Sequence, residues 1–347
     1  MAKKRKKKSL ESRTSTSKYR KVVLTRATEG ILNDVVIGVE YPGGRSRESY
    51  RMLLESGRSV IATRRNELEL AQLEIQILHA LGDHQVPVPR LLGNNHSHIL
   101  IQEYVSGTRL SQALKDADEQ QCHRLLDAAL DSLAAIQHAA TASDLETKVE
   151  ALGYEDSWIS GLIKRPKVIG EFLGVPAPSL DESALINQLR MREPRFIKWD
   201  ARPGNALVNG AGQVVWFDWE HAGKRNRLDD AAWILGDEYV PEFPEVEKRL
   251  LDAYVLKFAG PMSDTESREY LMCYGTFHMV VRLGLILKYM TGKWWDLDEC
   301  IEEDKVGVTL SCAQRLCRRG ARWSGQCELT QELSPWFEKI EKKIERL

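Results

Sequence analysis

The sequence lacks the features that mark secreted and membrane proteins. Its 347 residues include six cysteines, and no two of them form a C-x-x-C pair. No apolar run reaches the roughly 18–20 residues that span a bilayer, and no signal-peptide segment follows the start. These absences predict a cytoplasmic protein without membrane contact. Its cysteines are expected to be scattered thiols rather than a disulfide framework or a zinc site.

Charge is unevenly distributed along the chain. Residues 1–21 carry ten Lys or Arg and one Glu, about +9, whereas the whole chain has a formal net charge of −1. The remainder therefore carries about −10, which would suit a cationic substrate. The length is enough for one large or two modest domains with a substantial apolar core.

The basic segment 1–21 has almost no large apolar residue, so we expect it to be a disordered tail. Contact with nucleic acid or another anionic surface is one interpretation of its charge. The other, which we favour, is a solubilising tail without a dedicated partner, because Tyr19 is its only aromatic residue. The sequence leaves the oligomeric state open.

The most informative stretch is residues 196–223, FIKWDARPGNALVNGAGQVVWFDWEHAG. Asp200 is followed five residues later by Asn205, and a short strand then leads into the Gly-rich turn of residues 209–212. A second strand brings the chain back to Asp218. The predicted hairpin places two carboxylates and an amide at one end, and Mg²⁺ prefers hard oxygen ligands of this kind.

This stretch resembles the catalytic and metal-binding loops of protein-kinase-like enzymes, where D-x-x-x-x-N precedes a strand-end Asp. The form PGNALV…VWFDWEHAG is similar to the aminoglycoside phosphotransferase and choline kinase branch. The resemblance implies an α+β, two-lobed, protein-kinase-like fold. It places a small β-rich N-lobe at residues 22–104 and a larger, mainly helical C-lobe at residues 105–347.

The N-lobe is expected to hold the nucleotide. Short β-like runs begin with VVLTRA at residues 22–27, and Gly43 and Gly44 stand where the family has its phosphate-covering turn. In the strand at residues 60–65 the family has a cation on the same face as an alanine, and period-two alternation puts Arg64 on the face of Ala62. Arg64 is therefore the expected phosphate-binding cation, and Arg65 is the candidate if the register is shifted by one residue. The family position on the following helix pairs Glu74 with that arginine.

Two further roles are implied by the resemblance alone. The backbone of the segment Glu103, Tyr104 and Val105 would hydrogen-bond the adenine edge of ATP. Asp230 would buttress the catalytic loop from the C-lobe. Neither assignment has a distinctive side-chain signature in the sequence.

The implied reaction is transfer of the ATP γ-phosphoryl group to a hydroxyl of a small-molecule acceptor. Asp200 would orient that hydroxyl and accept its proton, and Arg202 would lie near the γ-phosphate. Asn205 and Asp218 would bind Mg²⁺, with Glu220 as a further contact. Aminoglycosides, choline, amino alcohols and sugars all fit as acceptors.

The chain departs from the family beside the proposed base. Lys198 and Trp199 stand where family members usually have His and Gly, and Asn226 and Arg227 stand where Asp-Pro is common. The phosphate-binding and metal-binding positions are retained, but the residues that support them are changed. An alternative interpretation is therefore a catalytically weakened or inactive kinase-fold protein that binds nucleotide or acts as a scaffold.

Overall fold

The structure is a computed structural model, and it describes residues 18–42 and 47–347. The chain divides into two compact units. Unit 1 extends to Ser106 and also includes Phe217–Glu220, and unit 2 consists of Gly107–Trp216 and His221–Leu347. The sequence placed one boundary after residue 104 and did not foresee that residues 217–220 group with unit 1. Gly43, Gly44 and the first seventeen residues lie outside the described residues.

Unit 1 combines helices with one antiparallel sheet, whose strand order is β1-β2-β3-β5-β4. Its elements are α1 (residues 18–32), β1 (Val36–Glu40), β2 (Ser49–Leu54), β3 (Ser59–Arg64), α2 (Leu68–Gly82), β4 (Leu91–Asn94) and β5 (Ile99–Glu103). Alternate residues of β2 are buried, as expected for a strand with one face on a core. That face contributes Tyr50, Met52 and Leu54 to an apolar cluster with Val60 and Ala62 of β3.

The prediction of a strand at residues 22–27 is wrong, because this segment belongs to helix α1. Leu24 is fully buried, and Ala27 and Ile31 pack against the same cluster. The spacing of these three residues is i, i+3 and i+7, which lines one face of a helix. Residues 18–21 are helical too, so this part of the predicted disordered tail is ordered.

Unit 2 is mainly helical. Its elements are β6 (Gly107–Arg109), α3 (Leu110–Lys115), α4 (Glu119–Ala142), α5 (Asp156–Ile163), α6 (Arg165–Leu173), α7 (Glu182–Leu189), β7 (Arg195–Ile197), β8 (Ala206–Asn209), β9 (Val214–Trp216), β10 (Gly223–Arg225), α8 (Leu228–Leu235), α9 (Pro244–Phe258), α10 (Asp264–Tyr289), α11 (Leu297–Glu302), α12 (Leu310–Ser324) and α13 (Leu333–Ile344). Single 3₁₀ turns occupy Leu145–Thr147 and Pro203–Asn205. Together the two units confirm the predicted α+β class.

Helix α10 is the central helix of unit 2. It begins with a capping box in which Ser263 and Glu266 satisfy each other's backbone N–H groups. By length and composition α10 could cross a membrane, but 83% of its most apolar window is buried inside the protein. Helix α10 is therefore a buried helix of the protein. The six cysteines are also buried and free, as expected for scattered thiols.

The predicted hairpin is present in unit 2. Strands β8 and β9 pair antiparallel with Ala206 opposite Trp216 and Val208 opposite Val214. The side chain of Asn209 closes the turn by accepting hydrogen bonds from the backbone N–H groups of Ala211 and Gln213, both at 3.0 Å. Strand β6 pairs with the other edge of β8. The hairpin thereby fixes the loop that precedes β8.

Candidate active site

Arg65 is the centre of a buried charge cluster in unit 1. It directly follows β3 and is only 5% exposed. Its Nη2 lies 2.6 Å from Glu74 Oε2 and 2.5 Å from Asp218 Oδ1, and its Nη1 lies 3.0 Å from Glu220 Oε1. Glu74 is held in turn by the side-chain amide of Gln102, which donates to Oε1 at 3.1 Å. The Arg65 guanidinium thus forms ion pairs with three carboxylates of unit 1.

The structure corrects the choice of Arg64 as the partner of Glu74. Val60 and Ala62 bury the core-facing side of β3, and period-two alternation puts Arg64 in their register. Arg65 belongs to the other register, with Ile61 and Thr63, and it forms the ion pair with Glu74. The alternative register considered from the sequence is therefore the one that the protein adopts.

Negative charge exceeds positive charge around Arg65. Glu48 Oε2 is a fourth carboxylate, 3.6 Å from Nη1. Burial raises the pKa of Glu220 to about 7; the charge of Arg65 opposes this rise, and the charges of Asp218, Glu74 and Glu48 add to it. Although burial lowers the pKa of Arg65, the charges of Glu74, Asp218 and Glu220 raise it well above its usual value. Four carboxylates on one cation would be offset by a divalent ion.

A second group of predicted site residues belongs to unit 2, on the loop that carries Asp200. Asn205 Nδ2 donates to Asp200 Oδ2 at 2.7 Å and to its backbone carbonyl at 3.0 Å. Arg202 Nε lies 3.1 Å from Asp200 Oδ1. Both oxygens of the carboxylate are thus oriented by neighbours on the same loop. The side chain remains 25% exposed, so a substrate hydroxyl can reach it.

The backbone of this loop is strained. In this loop Trp199 has φ 53° and Asp200 has φ 37°. Asp218, which belongs to unit 1 and not to this loop, also has a positive φ of 65°. Left-handed conformations cost L-residues about 1–2 kcal/mol each, so they persist only where surrounding contacts impose them. Trp199 therefore adopts, at some cost, a conformation that a glycine at the same position would adopt freely.

Asp230 supplies the contacts that impose this conformation. Its Oδ2 accepts from the Lys198 backbone N–H and its Oδ1 from the Trp199 backbone N–H, both at 2.9 Å. Gln137 Nε2 also donates to Oδ2 at 2.9 Å. Burial raises the pKa of Asp230 to about 6, and the hydrogen bonds from Lys198, Gln137 and Trp199 limit the rise. Asp230 therefore fixes the loop immediately before Asp200.

We expect Asp230→Asn to destabilise unit 2 and to lower activity. The amide offers one acceptor oxygen, so its NH₂ group would face a backbone N–H and leave that donor unpaired. A buried unpaired group of this kind costs about 1–3 kcal/mol. Thermal unfolding and steady-state kinetics measure the two effects, with Asp116→Asn on an exposed residue as the control. An unchanged melting temperature would contradict the bracing role.

Lys198 and Trp199, the departures from the family, are accommodated by aromatic packing. Lys198 is 1% exposed, with its Nζ 5.9 Å from the centre of the Trp216 ring. The Trp199 ring lies 5.4 Å from that of Trp233 and 5.6 Å from the guanidinium carbon of Arg225. Cation–π contacts within about 6 Å are attractive. The loop is thus supported by contacts different from those that a His-Gly pair would provide.

Asp304 is a site residue that the sequence did not reveal. It follows α11, and its Oδ1 lies 3.9 Å from Arg202 Nη2, while its Oδ2 lies 3.8 Å from Arg109 Nη1. A methyl group at Gly204 would come too close to the Asp304 carboxylate unless that side chain moved, so glycine lets Asp304 lie against this turn. Although burial lowers the pKa of Arg202, the charge of Asp200 and those of Asp237, Asp304 and Glu238 raise it. No local pattern marks Asp304, because it is about a hundred residues from the loop that it supports.

The remaining predicted nucleotide contacts are only partly visible. Strand β5 ends at Glu103, whose side chain forms an ion pair with Arg90 at 2.5 Å. Tyr104 and Val105 come just after the strand, and the Tyr104 ring lies 3.8 Å from the guanidinium carbon of Arg51. Gly43 and Gly44 fall outside the described residues. The hinge assignment stays a prediction.

The predicted metal ligands have suitable chemistry. Asn205, in unit 2, uses its amide nitrogen on Asp200, which leaves its oxygen as the ligand atom. Asp218, in unit 1, lies among the excess carboxylates around Arg65. The described residues contain no group of three or more His, Cys, Asp or Glu side chains placed to hold a metal ion alone. Mg²⁺ is commonly held by one or two protein oxygens together with substrate phosphates, so the oxygen of each residue is chemically suited to it.

The sequence matches the model of the phosphotransferase enzyme family over residues 38–267, more than half of the chain. The chain therefore belongs to the phosphotransferase enzyme family. No curated protein matches the sequence.

Several solved structures share the fold. An aminoglycoside phosphotransferase from Alicyclobacillus acidocaldarius is 14% identical, with a TM-score of 0.54 and coverage of 90% of this chain and 93% of that one. A mutant aminoglycoside 2'-phosphotransferase IIIa in complex with GDP is 18% identical, with a TM-score of 0.54 and coverage of 82% and 96%. The GDP and kanamycin complex of APH(2")-IIIa is 16% identical, with a TM-score of 0.52 and coverage of 81% and 97%. The predicted protein-kinase-like phosphotransferase fold is confirmed.

Proposed function

We propose that the protein transfers the γ-phosphoryl group of ATP to a hydroxyl group of a small molecule. The observation that carries the proposal is the environment of Asp200. Its carboxylate is oriented by Asn205 and Arg202, remains accessible, and sits on a loop that Asp230 holds in a strained conformation. Membership of the phosphotransferase enzyme family supports the reaction class.

Each residue has a defined task in this proposal. Asp200 orients the acceptor hydroxyl through a hydrogen bond and takes its proton as the oxygen attacks phosphorus. Arg202 offers positive charge where negative charge develops on the transferred group. Arg65 binds the other phosphates with its forked guanidinium, and Glu74 fixes the orientation of that fork. The backbone of Glu103, Tyr104 and Val105 recognises the adenine.

Asn205 and Asp218 would hold Mg²⁺, which when bound offsets the charge of the phosphate oxygens. The excess of carboxylates around Arg65 supports a cation requirement. Glu220 contributes further negative charge there.

The direct test is a thermal-shift titration with ATP, with and without Mg²⁺, followed by turnover against a panel of acceptors. Aminoglycosides, amino alcohols, choline and sugars cover the hydroxylated classes. We expect stabilisation by ATP with Mg²⁺ and a phosphorylated product, detected by mass spectrometry, with at least one acceptor.

A second candidate is a nucleotide-binding protein of the same fold with little or no transfer activity. The replacement of His-Gly by Lys198 and Trp199 favours it, because this pair alters the support of the catalytic loop. ATP binding without turnover of any acceptor in the panel would support this candidate and contradict the kinase.

We expect Asp218→Ala to remove the Mg²⁺ dependence of nucleotide binding. The variant loses a hard oxygen ligand while Glu74 and Glu220 still neutralise Arg65. Calorimetry measures the nucleotide affinity with Mg²⁺ and with EDTA. The ratio of these two affinities should fall towards one in the variant. Glu55→Ala, on an exposed carboxylate of unit 1, should keep the wild-type ratio. A wild-type ratio in Asp218→Ala would rule out this ligand.

A further inference from the structure

Unit 2 contains a cavity that does not include Asp200, Asn205 or Arg202. Its volume is about 240 Å³, and its walls come from the end of α7 with the following loop, the segment after β10, and the α9–α10 connection. One water needs roughly 10–15 Å³ of such space, so a small organic molecule can enter. The proposed phosphoryl transfer does not use this cavity.

The cavity has four arginines on its walls: Arg190, Arg192, Arg195 and Arg227. Three of them have carboxylate partners, among them Asp156 for Arg190 and Glu146 for Arg227, and neither of these partners lines the cavity. Arg192 has no ion-pair partner among the described residues. The wall therefore holds a guanidinium whose charge the protein does not neutralise by direct contact.

Arg227 is the most buried of these arginines. Its side chain is 17% exposed, and its Nε is buried without a hydrogen-bond partner in the described part of the chain. Burial lowers its pKa; the neighbouring charge of Arg195 lowers it further and that of Glu146 opposes the change. The guanidinium groups of Arg195 and Arg227 therefore repel each other beside the cavity. A bound anion would relieve this repulsion.

Carboxylates on the wall offset this charge only in part. The Glu266 carboxylate is near enough to Arg192 to interact with it electrostatically, without an ion pair between the two side chains. Glu193 is paired with Arg195 at 3.5 Å, and the Glu266 carboxylate accepts hydrogen bonds from the backbone and hydroxyl of Ser263 at the start of α10. Glu269 is the third acidic residue of the lining and is exposed. Phe258 and Tyr270 add apolar surface and are 1% and 3% exposed. The cavity therefore combines guanidinium groups with an apolar floor.

Two routes of contacts lead from the cavity wall to the loop of Asp200, one made of hydrogen bonds alone and one that ends in a ring contact. Gln137 Nε2 donates to the Arg227 backbone carbonyl at 3.3 Å and to Asp230 Oδ2 at 2.9 Å, and Asp230 binds the backbone of Lys198 and Trp199.

The other route starts at the cavity floor. Tyr270 donates to Asp229 Oδ1 at 2.8 Å, and Arg225 Nε donates to Asp229 Oδ2 at 2.6 Å. Arg225 then lies against the Trp199 ring. A ligand that fixes Arg227 and Tyr270 would thereby restrain the loop.

We propose that this cavity binds a small organic anion, a phosphate or carboxylate group carried on an apolar body, and that its occupancy restrains the loop of residues 198–200. The guanidinium groups of Arg192 and Arg227 would hold the anion, and Phe258 and Tyr270 would contact the apolar part. Binding itself does not depend on the proposed kinase activity. Only the interpretation of the site as regulatory rests on that proposed function.

The test uses the full chain without ATP. Phenyl phosphate, benzoate and inorganic phosphate are titrated by calorimetry, so that the arms separate phosphate from carboxylate and show the contribution of the ring. We expect at least one aromatic anion to bind more tightly than inorganic phosphate, because only it covers the apolar floor. Arg192→Ala should weaken that binding about tenfold, the loss expected for one charge-assisted hydrogen bond, and Arg192→Glu should abolish it.

Arg165→Ala is the matched control, since Arg165 is exposed on α6 and does not line the cavity. Arg192 is exposed as well, so both variants should fold like the wild type, which thermal unfolding checks. Absence of binding by both aromatic anions would overturn the site. So would equal weakening in Arg165→Ala or wild-type affinity in Arg192→Ala.

The connection to the loop is measured by hydrogen exchange. The amide hydrogens of Lys198 and Trp199 are bonded to Asp230, so a restrained loop should exchange them more slowly when the bound anion is present. Slower exchange in a peptide covering residues 196–201 of the wild type, absent in Arg192→Glu, would support the coupling. Binding without a change in exchange would overturn it. Neither readout requires turnover, so failure of the kinase proposal would remain distinguishable.

Discussion

Asp200→Ala is expected to lower the rate of phosphoryl transfer by about 10²- to 10⁴-fold, the range typical for loss of a general base. The carboxylate is 25% exposed, and Asn205 and Arg202 orient both of its oxygens. Removing it takes away the acceptor for the hydroxyl proton. The effect should fall on kcat measured with saturating ATP and acceptor.

Nucleotide binding separates this role from a structural one. The cluster around Arg65, which we propose binds phosphate, belongs to unit 1 and does not contain Asp200, so ATP affinity should stay close to wild type. Asp116→Ala, which removes an exposed carboxylate of unit 2, should leave kcat unchanged. Equal turnover by Asp200→Ala and wild type would exclude Asp200 as the base.

The central hairpin could be predicted from the sequence because its determinants are local. Asn209 and the glycines that follow it form a turn, and the flanking residues alternate as strands do. The Asn209 side chain closes that turn through two backbone hydrogen bonds. Helix α10 was equally predictable, since its length and apolar composition reflect burial on most faces.

The choice between Arg64 and Arg65 could not be made from alternation alone. A shift of one residue exchanges the two faces of a strand, and the pattern matched to the family placed Ala62 beside the wrong arginine. The decisive fact is tertiary: Ala62 and Val60 belong to the core with Tyr50 of the neighbouring strand. No property of residues 60–65 taken by themselves contains this information.

The strand predicted for residues 22–27, which belong to helix α1, was wrong for a related reason. Its β-branched residues Val22 and Val23 favour a strand, but the buried Leu24 and Thr28 and the partly buried Ile31 have helical spacing. Burial against the sheet outweighs the weak intrinsic preference of such residues.

Most of the residues that hold the Asp200 loop in place could not be predicted from the sequence. Asp230 is the exception, because the family resemblance identified it. Asp230 was assigned through its family position, whereas Gln137 and Asp304 bind the same loop or its neighbours from distant helices and loops. Gln137 is 93 residues from Asp230 and Asp304 is 102 residues from Arg202, and such long-range pairings leave no periodic signal. The aromatic contacts of Trp199 with Trp233 and Arg225 are of the same long-range kind.

Arg65→Ala is expected to destabilise the protein by about 3–5 kcal/mol and to abolish nucleotide binding. Breaking a buried ion pair by removing one partner leaves an uncompensated charge, which accounts for that magnitude. Glu74 is 1% exposed and would keep only its hydrogen bonds from Gln102 and the Trp219 backbone, while Asp218 and Glu220 would repel it. Thermal unfolding and calorimetric ATP titration measure the two losses.

Arg64→Ala is the matched control, because it removes the same side chain one position earlier, on the strand β3 itself. It should change stability by no more than about 1 kcal/mol, because the half-buried Arg64 side chain has no ion pair to lose among the described residues, and it should leave ATP affinity intact. Arg65→Lys keeps the charge but loses the fork that reaches Glu74 and Asp218 together, so it should fold and bind ATP more weakly than wild type. If Arg64→Ala were the damaging substitution and Arg65→Ala the tolerated one, the register seen in the structure would be wrong and the assignment of the phosphate anchor would return to Arg64.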